Sequence, residues 1–110
     1  MMDARLYDDV LNFTECIKDT PEYREYQEKK RIIKEHPELM EKAEDLMKRN
    51  MEVNAGFEEG RGTLDDLKRF ADENEEIFME PVINEYLIAE SAFCRMMREI
   101  LVMTMERIDL

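Results

Sequence analysis

Residues 81–108 read PVINEYLIAESAFCRMMREILVMTMERI and decide the fold class of this chain. The stretch has no glycine and no proline after its first residue, so one continuous helix there would span roughly 42 Å. Apolar residues recur along one face at alternating steps of four and three, as in a coiled-coil seam: Val82, Tyr86, Ala89, Phe93, Met96, Ile100 and Met103. The stretch therefore predicts a long helix that packs along its whole length.

The other faces of this predicted helix are also apolar, and between Ile100 and Met105 only Thr104 is polar. A helix that is apolar nearly all round must be covered nearly all round. The remaining ~80 residues are too few to cover a helix of this length. We therefore expect self-association, most simply as a two-fold homodimer. The expected interface consists of Tyr86, Ala89, Phe93, Met96, Met97, Ile100, Leu101 and Met105.

Ahead of this stretch, the apolar spacing predicts four further helices, over residues 3–18, 21–35, 37–54 and 63–79. Each proline stands where a helix is expected to begin, and Thr20 and Thr63 are good N-caps. All three glycines lie within residues 56–62, which we interpret as an inter-helix turn, because no strand precedes them and no Lys follows directly, as a phosphate loop requires. We expect an all-α fold of about five helices, an antiparallel hairpin or bundle, in a single domain over residues 1–110.

The charge balance narrows the classes of partner. The chain has 16 Lys+Arg against 28 Asp+Glu, which gives a formal charge of −12. A protein that grips nucleic acid needs clustered Lys and Arg, but the only basic cluster, residues 29–31 with Lys34, is surrounded by glutamates. We therefore expect no direct nucleic-acid binding. No apolar run approaches the ~18 residues of a membrane span, and no secretory signal is visible, so we expect no membrane association and a cytoplasmic location.

Candidate ligands and nucleophiles are scarce. His36 is the single histidine, and Ile33 stands where a Glu-x-x-His metal motif would have its glutamate. A closed zinc site needs four ligands, whereas one chain offers Cys16, Cys94 and His36 at most. We predict no enzyme activity and no cofactor, and we interpret both cysteines as reduced, buried apolar residues. The alternative is a metal site that shares Cys94 and Cys16 across subunits.

Two features of the predicted helices point to protein contacts. Met40, Met47 and Met51 form a stripe on the third helix, for which we predict a partner groove, with ordinary core packing as the alternative. Glu90 lies close to the apolar seam of the last helix, where a carboxylate needs a partner, and we expect Arg95, Arg98 or a basic residue of another helix to supply it. Residues 58–80 hold nine acids against three bases and would steer a basic partner.

Two motifs, in this order and spacing, give the chain a resemblance to a known family. Residues 80–90 read EPVINEYLIAE and open the long last helix, and residues 20–26 read TPEYREY, followed by PEL at residues 37–39. The chain resembles the YlbF/YmcA family of small bacterial regulatory proteins over nearly its whole length. The resemblance implies an all-α protein that forms dimers or larger assemblies and has no known catalytic residues.

The resemblance also implies a class of function. The best-known members of this family join a complex that promotes competence, biofilm formation and sporulation and works with ribonuclease Y in transcript processing. Some members of that complex bind iron–sulfur clusters through cysteines. This chain has no cysteine cluster near its C-terminus, where residues 106–110 read ERIDL. We predict a non-enzymatic regulatory adaptor that self-associates and binds protein partners. The alternative function is a metal or iron–sulfur binding module with cysteines shared across subunits.

Overall fold

Prolines and capping side chains set where the helices begin. The computed structural model describes residues 1–109, and its helices are α1 Ala4–Lys18, α2 Pro21–Lys34, α3 Pro37–Glu58, α4 Leu64–Glu73, α5 Glu75–Met79 and α6 Pro81–Arg107. The three prolines start α2, α3 and α6, where a missing N–H costs nothing. The described residues contain helices and no strand, so the predicted all-α class is confirmed.

Polar side chains satisfy the first amides of four helices. Asp3 accepts hydrogen bonds from the first amides of α1. Thr20 accepts the N–H of Tyr23 at 3.2 Å, and the Glu80 carboxylate accepts an N–H of the first turn of α6 at 2.9 Å. At α4 the pair Thr63 and Asp66 forms a capping box, in which each side chain accepts the other's backbone N–H. The helix starts were therefore predictable from local chemistry.

Helix α3 continues one turn beyond the predicted end at residue 54. Gly56 lies inside the helix, and the chain leaves it only at Gly60, whose φ is 77°. The N–H of Arg61 donates to the carbonyl of Gly56 at 2.8 Å, and the N–H of Gly60 donates to that of Phe57 at 3.2 Å. This is a Schellman end, which needs a left-handed residue at the position of Gly60. The predicted glycine turn is thus shorter than expected.

The predicted helix over residues 63–79 is divided in two at Asn74. The Asn74 side chain is buried, and its amide donates to the carbonyl of Phe70 at 2.8 Å while its oxygen accepts from Arg49 at 3.3 Å. An asparagine side chain that bonds the preceding turn competes with the helical backbone. The chain therefore bends there, and α5 follows as a short separate helix.

The core lies where α2, α3 and α6 meet. Its buried apolar residues are Ile33, Ala43, Leu46, Ile83, Tyr86 and Ala89. Helices α2 and α6 run antiparallel, because Tyr23 packs on Phe93 whereas Lys29, further along α2, pairs with Glu85 at 3.3 Å. The predicted antiparallel hairpin is therefore present, with Tyr26 stacked between the Phe93 and Tyr86 rings at centroid distances of 5.2 and 6.0 Å.

Two parts of the molecule extend beyond this core. The Cα radius of gyration is 17.5 Å, well above the ~13 Å of a compact domain of this length. We call residues 81–93 the proximal half of α6 and residues 94–107 its distal half. The distal half contains no buried residue, and neither does α1. None of the helices described is long and apolar enough to cross a membrane.

Candidate functional site

The predicted oligomer interface divides at Phe93. Tyr86 and Ala89 are buried inside the protomer, so they are not available to a second chain. Phe93 is half-buried against the α2 tyrosines, and Met96 and Ile100 are also half-buried. The other predicted interface residues, Met97, Leu101 and Met105, are exposed on the distal half together with Val102 and Met103, and Ile108, the residue that caps the helix, is exposed as well.

A groove of about 500 Å³ lies between α3, α5 and the middle of α6. Its lining consists of Leu46, Met47, Asn50, Met51, Phe78, Leu87, Glu90, Ser91, Cys94 and Arg98. Two of the three predicted groove methionines meet here: Met47 is half-buried against the core, and Met51 is 70% exposed. Met40 packs against the core outside this lining. The methionine stripe therefore packs in the core at its start and lines a groove at its end, and partner binding there stays a prediction.

Glu90 is the charged group that the groove partly encloses. Burial raises the pKa of its carboxyl above the usual value. Among residues 1–109 it forms no ion pair, so neither Arg95 nor Arg98 supplies the partner that was expected. The Cys94 thiol donates a weak hydrogen bond to the carboxylate, with its Sγ 4.0 Å from Oε1. The carboxylate thus lies in a largely apolar groove without an ion-pair partner from residues 1–109, although Arg98 lines the same groove.

The two cysteines are exposed, which contradicts the prediction that they are buried. Cys94 fails that prediction because its position on α6 faces the groove rather than α2. His36 is exposed as the N-cap of α3 and makes no side-chain capping bond. Within the described residues no three His, Cys, Asp or Glu side chains lie close enough to hold a metal ion. A site shared across subunits stays a prediction.

Two of the four bases of the α2 cluster form ion pairs within the chain. Lys29 pairs with Glu85 and Glu25, and the hydrogen bond that its ammonium donates to Glu85 raises the pKa of Lys29. Arg31 pairs with Glu28 at 2.7 Å and with Glu35 at 3.2 Å, and its hydrogen bond lowers the pKa of the Glu28 carboxyl. The flanking glutamates of α2 therefore form ion pairs with Lys29 and Arg31 within the helix.

Three apolar features were not predicted from the sequence to form part of a binding surface. Phe78 and Leu87 form groove walls, and Phe78 belongs to α5, the short helix after the break at Asn74. The third feature is the apolar face of α1, which is exposed at Leu6, Tyr7, Val10, Leu11 and Phe13. Its helical spacing was readable, but spacing does not say whether another element covers the face.

The described residues thus present exposed apolar surfaces and more than one groove. Residues 6–109 match the family described as control of competence regulator ComK, YlbF/YmcA. Neither the curated proteins nor the solved structures gave a match. The match spans nearly all of the chain, and it is a match to a family of regulators. The chain therefore belongs to the YlbF/YmcA family.

Proposed function

We propose that this protein is a non-enzymatic cytoplasmic regulatory adaptor, which self-associates through the distal half of α6 and holds a protein partner in the α3–α5–α6 groove. The observation that carries the proposal is the run of exposed apolar side chains from Met97 to Ile108. A concentration of exposed apolar side chains marks an interaction site, and it stands out in a chain in which 40% of the residues are charged.

The groove supplies the partner-binding part of the proposal. Met47 and Met51 offer flexible apolar contact, and the unpaired Glu90 offers a charge to a basic side chain. An amphipathic helix with a Lys or Arg between its apolar anchors fits both features. The acidic residues 58–80 would speed the approach of such a partner. Any role in transcript processing would then run through that partner rather than through direct RNA contact.

Self-association is tested by light scattering of the purified chain at micromolar concentration. We expect a dimer or a larger assembly, and we expect Leu101→Glu to shift it to monomer because a charge would be buried at the interface. Ile88→Glu is the matched control, since Ile88 lies on the same helix and is 62% exposed against 59% for Leu101. A monomeric unmodified chain would refute self-association.

Partner binding is tested by retention of a defined partner, identified by mass spectrometry after capture from the native host. Met51→Glu should abolish retention while the protein stays folded, because Met51 is exposed at the groove. Met79→Glu is the control: Met79 is 68% exposed against 70% for Met51 and does not line the groove. Equal retention by both variants would exclude the groove.

The exposure of Cys16 and Cys94 supports the second candidate, a metal or iron–sulfur module with ligands from two chains. Anaerobically purified protein would then absorb visible light and contain bound iron. The Cys94→Ser variant would lose both the colour and the iron. Colourless, metal-free protein would exclude the metal-binding function and leave the adaptor function as the remaining candidate.

A further inference from the structure

Helix α1 presents an apolar face that its own chain does not cover. It packs mainly against α2, to which the short link Asp19–Thr20 joins it, and none of its residues is buried. The exposed large side chains on this helix are Leu6, Tyr7, Val10, Leu11 and Phe13. A helix of this composition gains little stability alone, so the face needs a covering surface.

The charges beside this face are complementary to those on the distal half of α6. Asp8 and Asp9 border the apolar face of α1 and form no ion pair within residues 1–109. On α6, Arg95 and Arg98 border the exposed apolar side chains and likewise have no ion-pair partner in the described part of the chain. Two acids on one apolar helix thus match two arginines on the other.

The two surfaces also match in length and in area. Helix α1 has 15 residues and spans roughly 22 Å, and the distal half of α6 spans roughly 21 Å. The large apolar side chains exposed on both segments offer on the order of 1,000 Å² per copy. A stable protein interface needs ~800 Å² per partner, so mutual burial of these surfaces is sufficient for a dimer.

We infer that α1 of one copy packs across the distal half of α6 of a second copy, and that the reciprocal contact forms at the same time. A two-fold axis makes both contacts equivalent, so neither apolar surface is left open. The inference rests on the proposed self-association and adds α1 as the second half of the interface. It also assigns Asp8 and Asp9 as the residues that face Arg95 and Arg98 of the partner copy.

The test is a charge exchange between two variants of the full chain. One variant carries Asp8→Lys with Asp9→Lys, and the other carries Arg95→Glu with Arg98→Glu. All four positions are exposed, so both variants should keep the helical circular dichroism of the unmodified protein. Each variant alone should dimerise at least about 10-fold more weakly, because like charges then face each other across the interface.

An equal mixture of the two variants is the decisive sample. In the mixed dimer each α1 meets an α6 of opposite charge, so the dissociation constant should return to within about 3-fold of the unmodified value. Dissociation constants are measured by sedimentation of labelled protein. The matched control replaces Glu73 and Glu75 with Lys, because these residues belong to α4 and α5 and to neither proposed surface.

Three results would overturn the inference, and they separate it from the proposed function. If the α1 variant dimerises like the unmodified chain, α1 is outside the interface although self-association stands. If the mixture stays weak while the chain carrying all four substitutions recovers, α1 packs on α6 of its own chain. If the unmodified chain is a monomer, the proposed self-association fails as well.

Discussion

The proximal and distal halves of α6 continue the same apolar pattern but have different surroundings. Ile83, Tyr86 and Ala89 in the proximal half are buried, whereas Leu101, Val102 and Met103 in the distal half are more than half exposed. The difference comes from α2, which runs antiparallel and begins at Pro21, close to where Tyr23 meets Phe93. Beyond Phe93 the antiparallel α2 no longer extends, so the same pattern makes a core on one side and, on the other, a surface where Met96 and Ile100 are half-buried and the remaining large apolar side chains are exposed.

The sharpest way to test this contrast is to remove equal volumes from the two halves. Ile83→Ala should cost about 3 kcal/mol of unfolding free energy, because Ile83 is 1% exposed and its removal leaves a cavity. Leu101→Ala should cost less than about 0.5 kcal/mol in dilute protein, because Leu101 is a surface residue of the protomer. Urea denaturation followed by circular dichroism, at the lowest usable protein concentration, measures both.

Concentration provides the control for that comparison. At high concentration an oligomer would stabilise the folded chain by mass action, so Leu101→Ala should then lower the urea midpoint whereas the loss from Ile83→Ala should not depend on concentration. Equal losses from the two substitutions in dilute protein would show that the distal half is packed within the protomer.

A smaller effect tests what holds the proximal half in place. Glu85→Gln removes the ion pair with Lys29 across the α2–α6 contact, and both side chains reach solvent. We expect roughly a fifth or less of the Ile83→Ala loss, since exposed ion pairs contribute little beside apolar burial. Added salt should shrink the difference further. A loss as large as that from Ile83→Ala would mean that the pair, rather than the core, joins the helices.

The pH dependence of this pair has a defined sign. Because Glu85 raises the pKa of Lys29 in the folded protein, its contribution is fully present below the unfolded lysine pKa and is lost as the pH rises through the folded value. The urea midpoints of the unmodified chain and of Glu85→Gln should therefore converge in strongly alkaline buffer.

The smallest expected effect lies at Glu90, near the junction of the two halves. Burial raises the folded pKa of Glu90, so the folded state binds the proton more tightly and the ionised carboxylate destabilises it. Glu90→Gln should raise the urea midpoint slightly at pH 7. The gain should disappear below the unfolded glutamate pKa of about 4.3, where both states are protonated. A fall in the midpoint at pH 7 would show that Glu90 has a cation partner.

Much of the fold was predictable because its determinants are local. The prolines that open three helices and the caps Thr20 and Thr63 act within a few residues, and the structure places the helix starts there. The errors also have local causes that the pattern did not contain. The buried side chain of Asn74 divides a predicted helix, and Gly60 rather than Gly56 takes the left-handed conformation that ends α3.

The candidate site was less predictable, because it depends on which helices meet. Spacing placed Met47, Met51 and Glu90 on apolar faces, but it did not show that Phe78 of α5 would close a groove around them. It also placed Tyr86 and Ala89 in an interface between chains, whereas α2 and α3 bury them within one chain. Cys94 was expected inside for the same reason and lies exposed at the groove.

By itself the sequence determined the helical class, the ends of most helices, the acidic surface and the family, because composition, capping and periodicity act over a few residues. The tertiary structure alone decided which apolar residues are covered. A helical face is buried only as far as its neighbour extends, and the antiparallel α2 begins opposite Phe93. That length difference divides one apolar pattern into the core of the protomer and the exposed surface that we propose for self-association.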